Sequence, residues 1–309
     1  MNNKNTVEEP IMTVENLTKI YHSGIINRQE NIGAKNVSFN LVPGKIVSLI
    51  GESGSGKTTV GKLILKLLKP TEGKIYFKGQ DITGITSKKE KQEYYREVQG
   101  VFQDPFSSFN SLFRVDRIFN MIFRIFMPEV ENKEEKIINA INEVNLTPEL
   151  LNKYPHQLSG GQLQRLLIAR ALLLDVDVLV ADELISMLDA STRMGVLNLL
   201  LDICQDRGMS ILFITHDLNL GYYLSDTTLI MHQGMLVERG KTKKIYENPV
   251  HPYTNMLFES VPDIKERWDR SKEFRPEDID DVVEDFYESH EGQGFSEVEE
   301  EHYVLFSSR

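Results

Sequence analysis

One octet limits the folds open to this chain more than any other feature: Gly51-Glu52-Ser53-Gly54-Ser55-Gly56-Lys57-Thr58, which fits the pattern G-x-x-x-x-G-K-[ST]. It is preceded by Ile46 to Ile50, an aliphatic, β-branched run of the kind buried in a parallel sheet. It is followed by Lys57 to Leu68, where apolar residues recur at the three- and four-residue spacing of a helix. Glycines let successive backbone N–H groups converge on phosphate oxygens, and the helix beginning near Lys57 aims its positive dipole end at the same anion. Lys57 brings a full charge to the β- and γ-phosphates of a nucleotide, and the Thr58 hydroxyl is a ligand for Mg²⁺.

A second apolar run, Val178 to Ala181, leads straight into Asp182 and Glu183. Acids at the end of such a strand sit at the carboxyl edge of the sheet, where open α/β sheets bind ligands. Successive strand residues face opposite ways, so the two carboxylates are free to take different tasks: Asp182 suits Mg²⁺, and Glu183 suits polarising an attacking water. Ser210 to Ile214 reads as a third strand, and Gln162 to Leu174 and Thr192 to Gln205 read as helices. Strands alternating with helices predict an α/β core. The stretch from about 88 to 174 has few strand-like runs and several helical ones, such as Lys133 to Val144, and is expected to form a helical subdomain inserted between two strands.

Leu158-Ser159-Gly160-Gly161-Gln162 precedes a helix with Gln164 and Arg165 in its first turn. A serine hydroxyl and two glycines at a helix start make a second anion site. Here the chain resembles the ATP-binding-cassette (ABC) family, whose signature is LSGGQ, and the resemblance spans roughly residues 11 to 262. It implies a P-loop ATPase core with a mostly parallel sheet, an antiparallel β subdomain and the inserted helical subdomain. It implies ATP on Gly51, Glu52, Ser53, Gly54, Ser55, Gly56, Lys57, Thr58 and Thr59 of one subunit and on Ser159, Gly160, Gly161 and Gln162 of a second, paired head to tail. Tyr21 matches the aromatic that stacks on adenine, and Gln103, in Val101-Phe-Gln-Asp-Pro105, the glutamine that ligates Mg²⁺ beside Thr58 and Asp182. Asp189 matches the loop crossing the dimer interface, and His216 the switch histidine at the γ-phosphate. Glu183, His216 and Gln103 are the expected catalytic residues. Leu184-Ile185 stands where the family usually has Pro-Thr, a change expected to alter packing and not charge.

Tyr154-Pro-His-Gln-Leu158 and Asn248-Pro-Val-His-Pro-Tyr-Thr254, followed by Val261-Pro262, are similar to the ATPase subunits of oligopeptide and dipeptide importers, a group that includes oligosaccharide importers. That similarity implies a second ABC ATPase subunit, identical or related, two transmembrane permease subunits, and an extracytoplasmic solute-binding protein acting through them. The alternative is a soluble ABC ATPase acting on chromosomes, ribosomes or cluster assembly; the chromosome type needs a long coiled-coil insertion and the translation type usually carries two cassettes, and this sequence shows neither. Intact Glu183 and His216 argue against a third reading, a regulatory binder that holds ATP without turnover. Phe119, Phe123 and Phe126 lie near the region that receives a permease helix in the family, with internal packing the more ordinary expectation for most of them.

Composition refines the setting. Cys204 is the one cysteine, so no intramolecular disulfide forms and a reducing compartment is expected. The start, MNNKNTVEEP, lacks the basic and apolar segments of a signal peptide, and no run approaches the roughly 20 apolar residues that span a bilayer. The expected location is peripheral, on the cytoplasmic face of the membrane. The net charge of −11 argues against nucleic acid, and it belongs almost wholly to residues 263–309, which carry 16 acidic and 6 basic side chains against 30 and 29 before them. The expected organisation is a nucleotide-binding domain over 1–250 and an extension over 251–309, acidic from 263. In that extension Ile279, Val282, Val283 and Phe286 are spaced for one helical face and His302 to Phe306 for a short strand, within a segment expected to be a solvated extension, with a regulatory module that docks on the partner ATPase as the alternative.

Overall fold

A computed structural model describes residues 9–23, 29–260, 276–290 and 294–307. Two long strands, β1 (Met12–Ser23) and β2 (Gln29–Leu41), come before β3 (Ile46–Ile50), every residue of which is buried. Next come α1 (Lys57–Ile64), β4 (Glu72–Phe77) and the short β5 (Gln80–Asp81). The middle of the chain forms α2 (Lys88–Glu97), β6 (Val98–Val101), α3 (Asp116–Phe126), α4 (Lys133–Glu143) and α5 (Gly160–Leu172). Then follow β7 (Val178–Asp182), α6 (Ala190–Arg207), β8 (Ser210–Thr215) and α7 (Leu218–Leu224). The C-terminal part adds β9 (Thr227–His232), β10 (Met235–Lys241), α8 (Thr242–Glu247), α9 (Pro252–Glu259), α10 (Pro276–Ser289), β11 (Phe295–Glu299) and β12 (His302–Leu305). The fold class is α/β. Pairing is parallel at β3–β9 and β6–β7 and antiparallel at β1–β4, β4–β5, β9–β10, β10–β12 and β11–β12.

Two local features depart from the apolar spacing. α1 stops at Ile64 and not near Leu68, because Lys66 takes a left-handed conformation (φ 54°) and the Leu67 and Leu68 amides turn back onto the Lys62 carbonyl at 2.9 and 3.2 Å. Val98–Val101 is a strand inside the stretch expected to be helical, set in parallel register with β7 from Val98↔Val178 to Val101↔Ala181.

The chain divides into two compact units, and the line between them falls inside β8, after Leu212. The first unit holds residues 9–11, Leu41–Lys45 and Gly84–Leu212. In it α5 packs against α3, α4, α6 and β6, and its Leu163, Leu166 and Leu167 are buried. Phe119 and Phe123 of α3 are buried too, so internal packing claims them; Phe126 is half-buried, and Met121 and Ile125 are the exposed apolar members of the helix.

The second unit holds the described residues of Met12–Asn40, Ile46–Thr83 and Phe213–Arg309. One sheet has the order β2-β1-β4-β5, and in another β3 lies beside β9, followed by β10, β12 and β11. Ile50, Leu218, Ile230, Val237, Ile245, Tyr253, Met256, Leu257, Ile279 and Val283 share one buried cluster. Ile279 and Val283 come from α10, so the extension is not a solvated tail among the described residues. Burying each such side chain contributes roughly 1.5–3 kcal/mol. Phe286 is half-buried and lies against Phe306 at 5.6 Å, whereas Val282 falls off the face and is exposed. Val261-Pro262 lies outside the described residues.

The extension is also tied in by charge. Glu238 of β10 is fully buried and accepts hydrogen bonds from the backbone N–H groups of Val250 and His251, both at 3.0 Å, and its third partner is His302 Nε2 at 2.7 Å. His302 Nδ1 meets Glu299 at 3.1 Å. Burial alone lowers the pKa of His302, but the hydrogen bonds to Glu238 and Glu299 outweigh it and hold the ring above its ordinary value. A histidine whose folded pKa is raised stabilises fully below its unfolded value, near 6.5, and loses that contribution as pH rises through the folded one. Hydrogen exchange of the β12 amides, corrected for the intrinsic rate, is therefore expected to lose protection as pH climbs through that raised pKa. His302→Gln is expected to flatten that profile; an unchanged profile would remove the pair from the account.

Candidate functional site

The glycine-rich loop connects β3 to α1 in the second unit. Gly56 takes φ 103°, closed to ordinary side chains, and a Cβ there would lie 2.2 Å from the Gly33 carbonyl oxygen. At Gly51 a Cβ would meet the Met231 carbonyl oxygen at the same distance, so β9 passes hard against the loop. Gly56 also caps α1 without a side-chain bond, at the helix end whose dipole favours an anion. Lys57 is buried, and its Nζ donates to Gly51 O at 2.7 Å, Glu52 O at 2.6 Å and Ser55 Oγ at 3.4 Å. The ammonium thus sits among oxygens at the centre of the loop. Ser55 is buried, whereas Glu52, Ser53, Gly54 and Thr58 are exposed around it.

Tyr21, 37% exposed, lies beside this loop: its hydroxyl is 3.3 Å from that of Thr59, and its ring passes so close to Gly33 that a Cβ there would be 2.4 Å from Cε2. His216 is exposed at the end of β8. It is held in a turn where Asp217 donates its N–H to Thr215 Oγ1 at 3.0 Å and accepts from the Asn219 and Leu220 N–H groups of α7.

The remaining expected residues belong to the first unit. Asp182 ends β7 buried, and Glu183 turns the chain in a left-handed conformation (φ 49°). That geometry costs a non-glycine residue roughly 1–2 kcal/mol. It is held because the Glu183 carbonyl accepts from both the N–H (3.2 Å) and the hydroxyl (2.9 Å) of Ser186, while Leu184 and Ile185 are buried behind it. Leu184 and Ile185, which stand where the family usually has Pro-Thr, are thus packed in the interior.

Ser159 caps α5 in a reciprocal box: its Oγ accepts from Gln162 N–H at 3.3 Å, and its own N–H donates to Gln162 Oε1 at 3.0 Å. Gly161 lets α6 approach, since a Cβ there would be 2.2 Å from Thr192 Cγ2. Gln164, wholly buried, donates to Phe102 O at 3.2 Å, and Arg170 donates to Gly100 O at 3.3 Å. The backbone next to the exposed Gln103 is therefore fixed by the same helix that carries the signature. Asp189 caps α6, accepting from Ser191 Oγ at 2.7 Å and Thr192 N–H at 3.0 Å, and these bonds hold its carboxyl well below the usual carboxylate range.

The motifs do not point to three further contacts with the loop. Gly33 and Met231 crowd it, and Tyr253 Oη accepts from the Glu52 N–H at 3.0 Å. Tyr253 comes from the proline-rich segment after β10, whose His251, Tyr253 and Thr254 are fully buried and so do not form a surface connector. Burial, with a smaller push from His232, lowers the His251 pKa to about 3, so the ring is neutral. Its Nδ1 accepts from Tyr253 N–H at 3.2 Å, which leaves Nε2–H to donate to Tyr287 Oη at 3.3 Å.

A phosphate loop of this build, in a chain that also carries a serine-capped signature helix, defines an ATP-binding cassette. The ABC transporter family model matches residues 34–186, and the model of the C-terminal region of oligopeptide/dipeptide transporters matches residues 237–286. The chain is 41% identical over 259 residues to the oligopeptide transport ATP-binding protein OppF of Streptococcus pyogenes serotype M1, covering 83% of each. It is 37% identical over 265 residues to AppF of Bacillus subtilis strain 168, covering 84% of this chain and 80% of that one. Among solved structures, cbiO1 of Clostridium perfringens, part of an ABC transporter complex, superposes with a TM-score of 0.68 at 26% identity over 78% of this chain and 92% of that one. A dimeric post-hydrolysis cassette bound to ADP and Pi gives 0.67 at 26% identity, over 75% and 98%. The chain belongs to the ABC transporter family, as an ATPase subunit.

Proposed function

We propose that this chain powers the import of oligopeptides, closing on ATP against a second ATPase subunit and resetting by hydrolysis. The observation that carries the reading is the match of residues 237–286 to the C-terminal region of oligopeptide and dipeptide transporters. The relatives named as oligopeptide transport proteins support peptide over sugar. In this reading Lys57 neutralises phosphate charge, His216 and the Ser159 of the opposite subunit hold the γ-phosphate, and Glu183 orients the attacking water, with Gln103 beside it. Tyr21 stacks on adenine, and Asp189 faces the dimer partner. Thr58, Gln103 and the buried Asp182 supply oxygen donors of the kind Mg²⁺ takes. When bound, Mg²⁺ supplies positive charge to the β- and γ-phosphate oxygens.

No helix among the described residues is long and apolar enough to cross a membrane. In the importer reading the chain works through two permease subunits, peripherally on the cytoplasmic face, with an extracytoplasmic binding protein delivering the solute. Affinity purification from native membranes is expected to recover those permeases with a second ATPase. Recovery of ribosomes or DNA and no membrane subunit would overturn the reading.

A further inference from the structure

The amide joining Gly51 to Glu52 opens the phosphate-binding loop, and it is gripped at both ends. Its carbonyl, on Gly51, accepts from Lys57 Nζ at 2.7 Å; its N–H, on Glu52, donates to Tyr253 Oη at 3.0 Å. A trans peptide points its C=O and N–H in opposite directions, so two partners on opposite sides fix the rotation of the whole plane. Each bond also polarises the amide in favour of the other. In the ATPase reading, on which the inference rests, the lysine end exchanges partners for phosphate oxygens, whereas the tyrosine end is a bond between protein groups alone.

Tyr253 is itself held rigidly. It is fully buried, its ring stacks on that of His232 at 4.0 Å between centroids and 30° between planes, and its N–H is bonded to His251 Nδ1. His232 in turn lies 3.5 Å from Asp280 of α10, a residue that also accepts from Gln233 Nε2 at 2.8 Å. The neighbouring backbone adds a second support, Gly234 N–H donating to Ser55 O at 2.9 Å. A hydroxyl anchored this way costs little to keep in place, which is what preorganises a binding loop.

We propose that Tyr253 is a positioning residue of the phosphate-binding loop: its hydroxyl sets the Gly51–Glu52 peptide plane, and so the C-terminal region contributes to nucleotide affinity. Tyr253 touches no phosphate. It acts through the orientation of the loop that does.

Tyr253→Phe keeps the ring, its stacking on His232 and its packing, and deletes only the hydroxyl that accepts from Glu52 N–H. A hydrogen bond of this kind has a net worth of about a factor of three to ten in an equilibrium. The full chain, titrated calorimetrically with ATP and separately with inorganic tripolyphosphate in Mg²⁺, is expected to show both dissociation constants raised about threefold to tenfold by the same factor, at unchanged stoichiometry. Equal weakening of the two ligands is the signature of a phosphate-loop effect, because tripolyphosphate has no base to stack on Tyr21. A partly unfolded sample would lower the stoichiometry and leave the dissociation constant alone. Dissociation constants within twofold of wild type, or a loss confined to ATP, would overturn the proposal. A second measurement needs no variant: the Glu52 amide of the wild-type chain is expected to exchange more slowly than the Ser53 amide beside it, and exchange at the rate of an unprotected loop would also overturn it. Failure of the wild-type chain to bind ATP would instead count against the ATPase reading.

Discussion

Glu183→Gln is expected to bind ATP as tightly as the wild type and to stall as a closed dimer, with turnover lowered at least about a hundredfold, the low end of what a positioned general base contributes. The substitution is informative because it changes charge and little else. Glutamine has the same length, and the two Ser186 bonds that hold the left-handed turn fall on the backbone carbonyl and not on the carboxylate. The backbone turn keeps both Ser186 bonds while the carboxylate proposed to polarise water is gone. Gel filtration with ATP and Mg²⁺ reads the dimer, and phosphate release reads the chemistry. Turnover at the wild-type rate would show that another group is the catalytic carboxylate.

Lys57→Ala is expected to act one step earlier and abolish tight ATP binding. Two charge-assisted hydrogen bonds to phosphate, each contributing about 1.5–3 kcal/mol, correspond to a loss of at least about a hundredfold in affinity. Calorimetric titration is the direct measure, and an affinity within tenfold of wild type would move the lysine out of the site. Lys57→Arg is expected to fail as well, since a planar fork has no counterpart to the compact ammonium now held by Gly51 O, Glu52 O and Ser55 Oγ. Tyr253→Phe, a graded loss at the same loop, lies between these two and the wild type.

Much of the site is legible in sequence because its chemistry is local. The octet from Gly51 to Thr58 specifies its own turn, and Ser159 with Gln162 specifies its own capping box. The acid pair is readable because Val178 to Ala181 leads directly into it. What stays hidden depends on partners far along the chain. Gly33 belongs to no motif and is demanded by the Tyr21 ring, with Thr59 Cγ2 the next neighbour a Cβ would meet, at 3.1 Å. Tyr253 reads as a member of a proline-rich segment until the fold brings it to Glu52, 201 positions away. β6 is masked by Gln99 and Gly100, which interrupt its apolar run, and pairing with β7 decides the matter. In the extension, composition pointed one way and packing another. A segment with 16 acids over 263–309 looks solvated on average, yet Ile279 and Val283, one helical turn apart, carry α10 into the core. Val282 fails because its direction, 100° away from that of Val283, leaves the face.

Glu238 carries a consequence for how the chain reaches this structure. Its carboxylate enters the interior only when satisfied, and one of its three partners, His302, lies 64 residues further on. An ionised carboxylate left dry without its counter-charge opposes burial by several kcal/mol. Full satisfaction of Glu238 in β10 therefore requires β12 to be in place, although it comes 64 residues later in the chain. The final docking of β12 and the drying of the sheet beneath it become a single cooperative step.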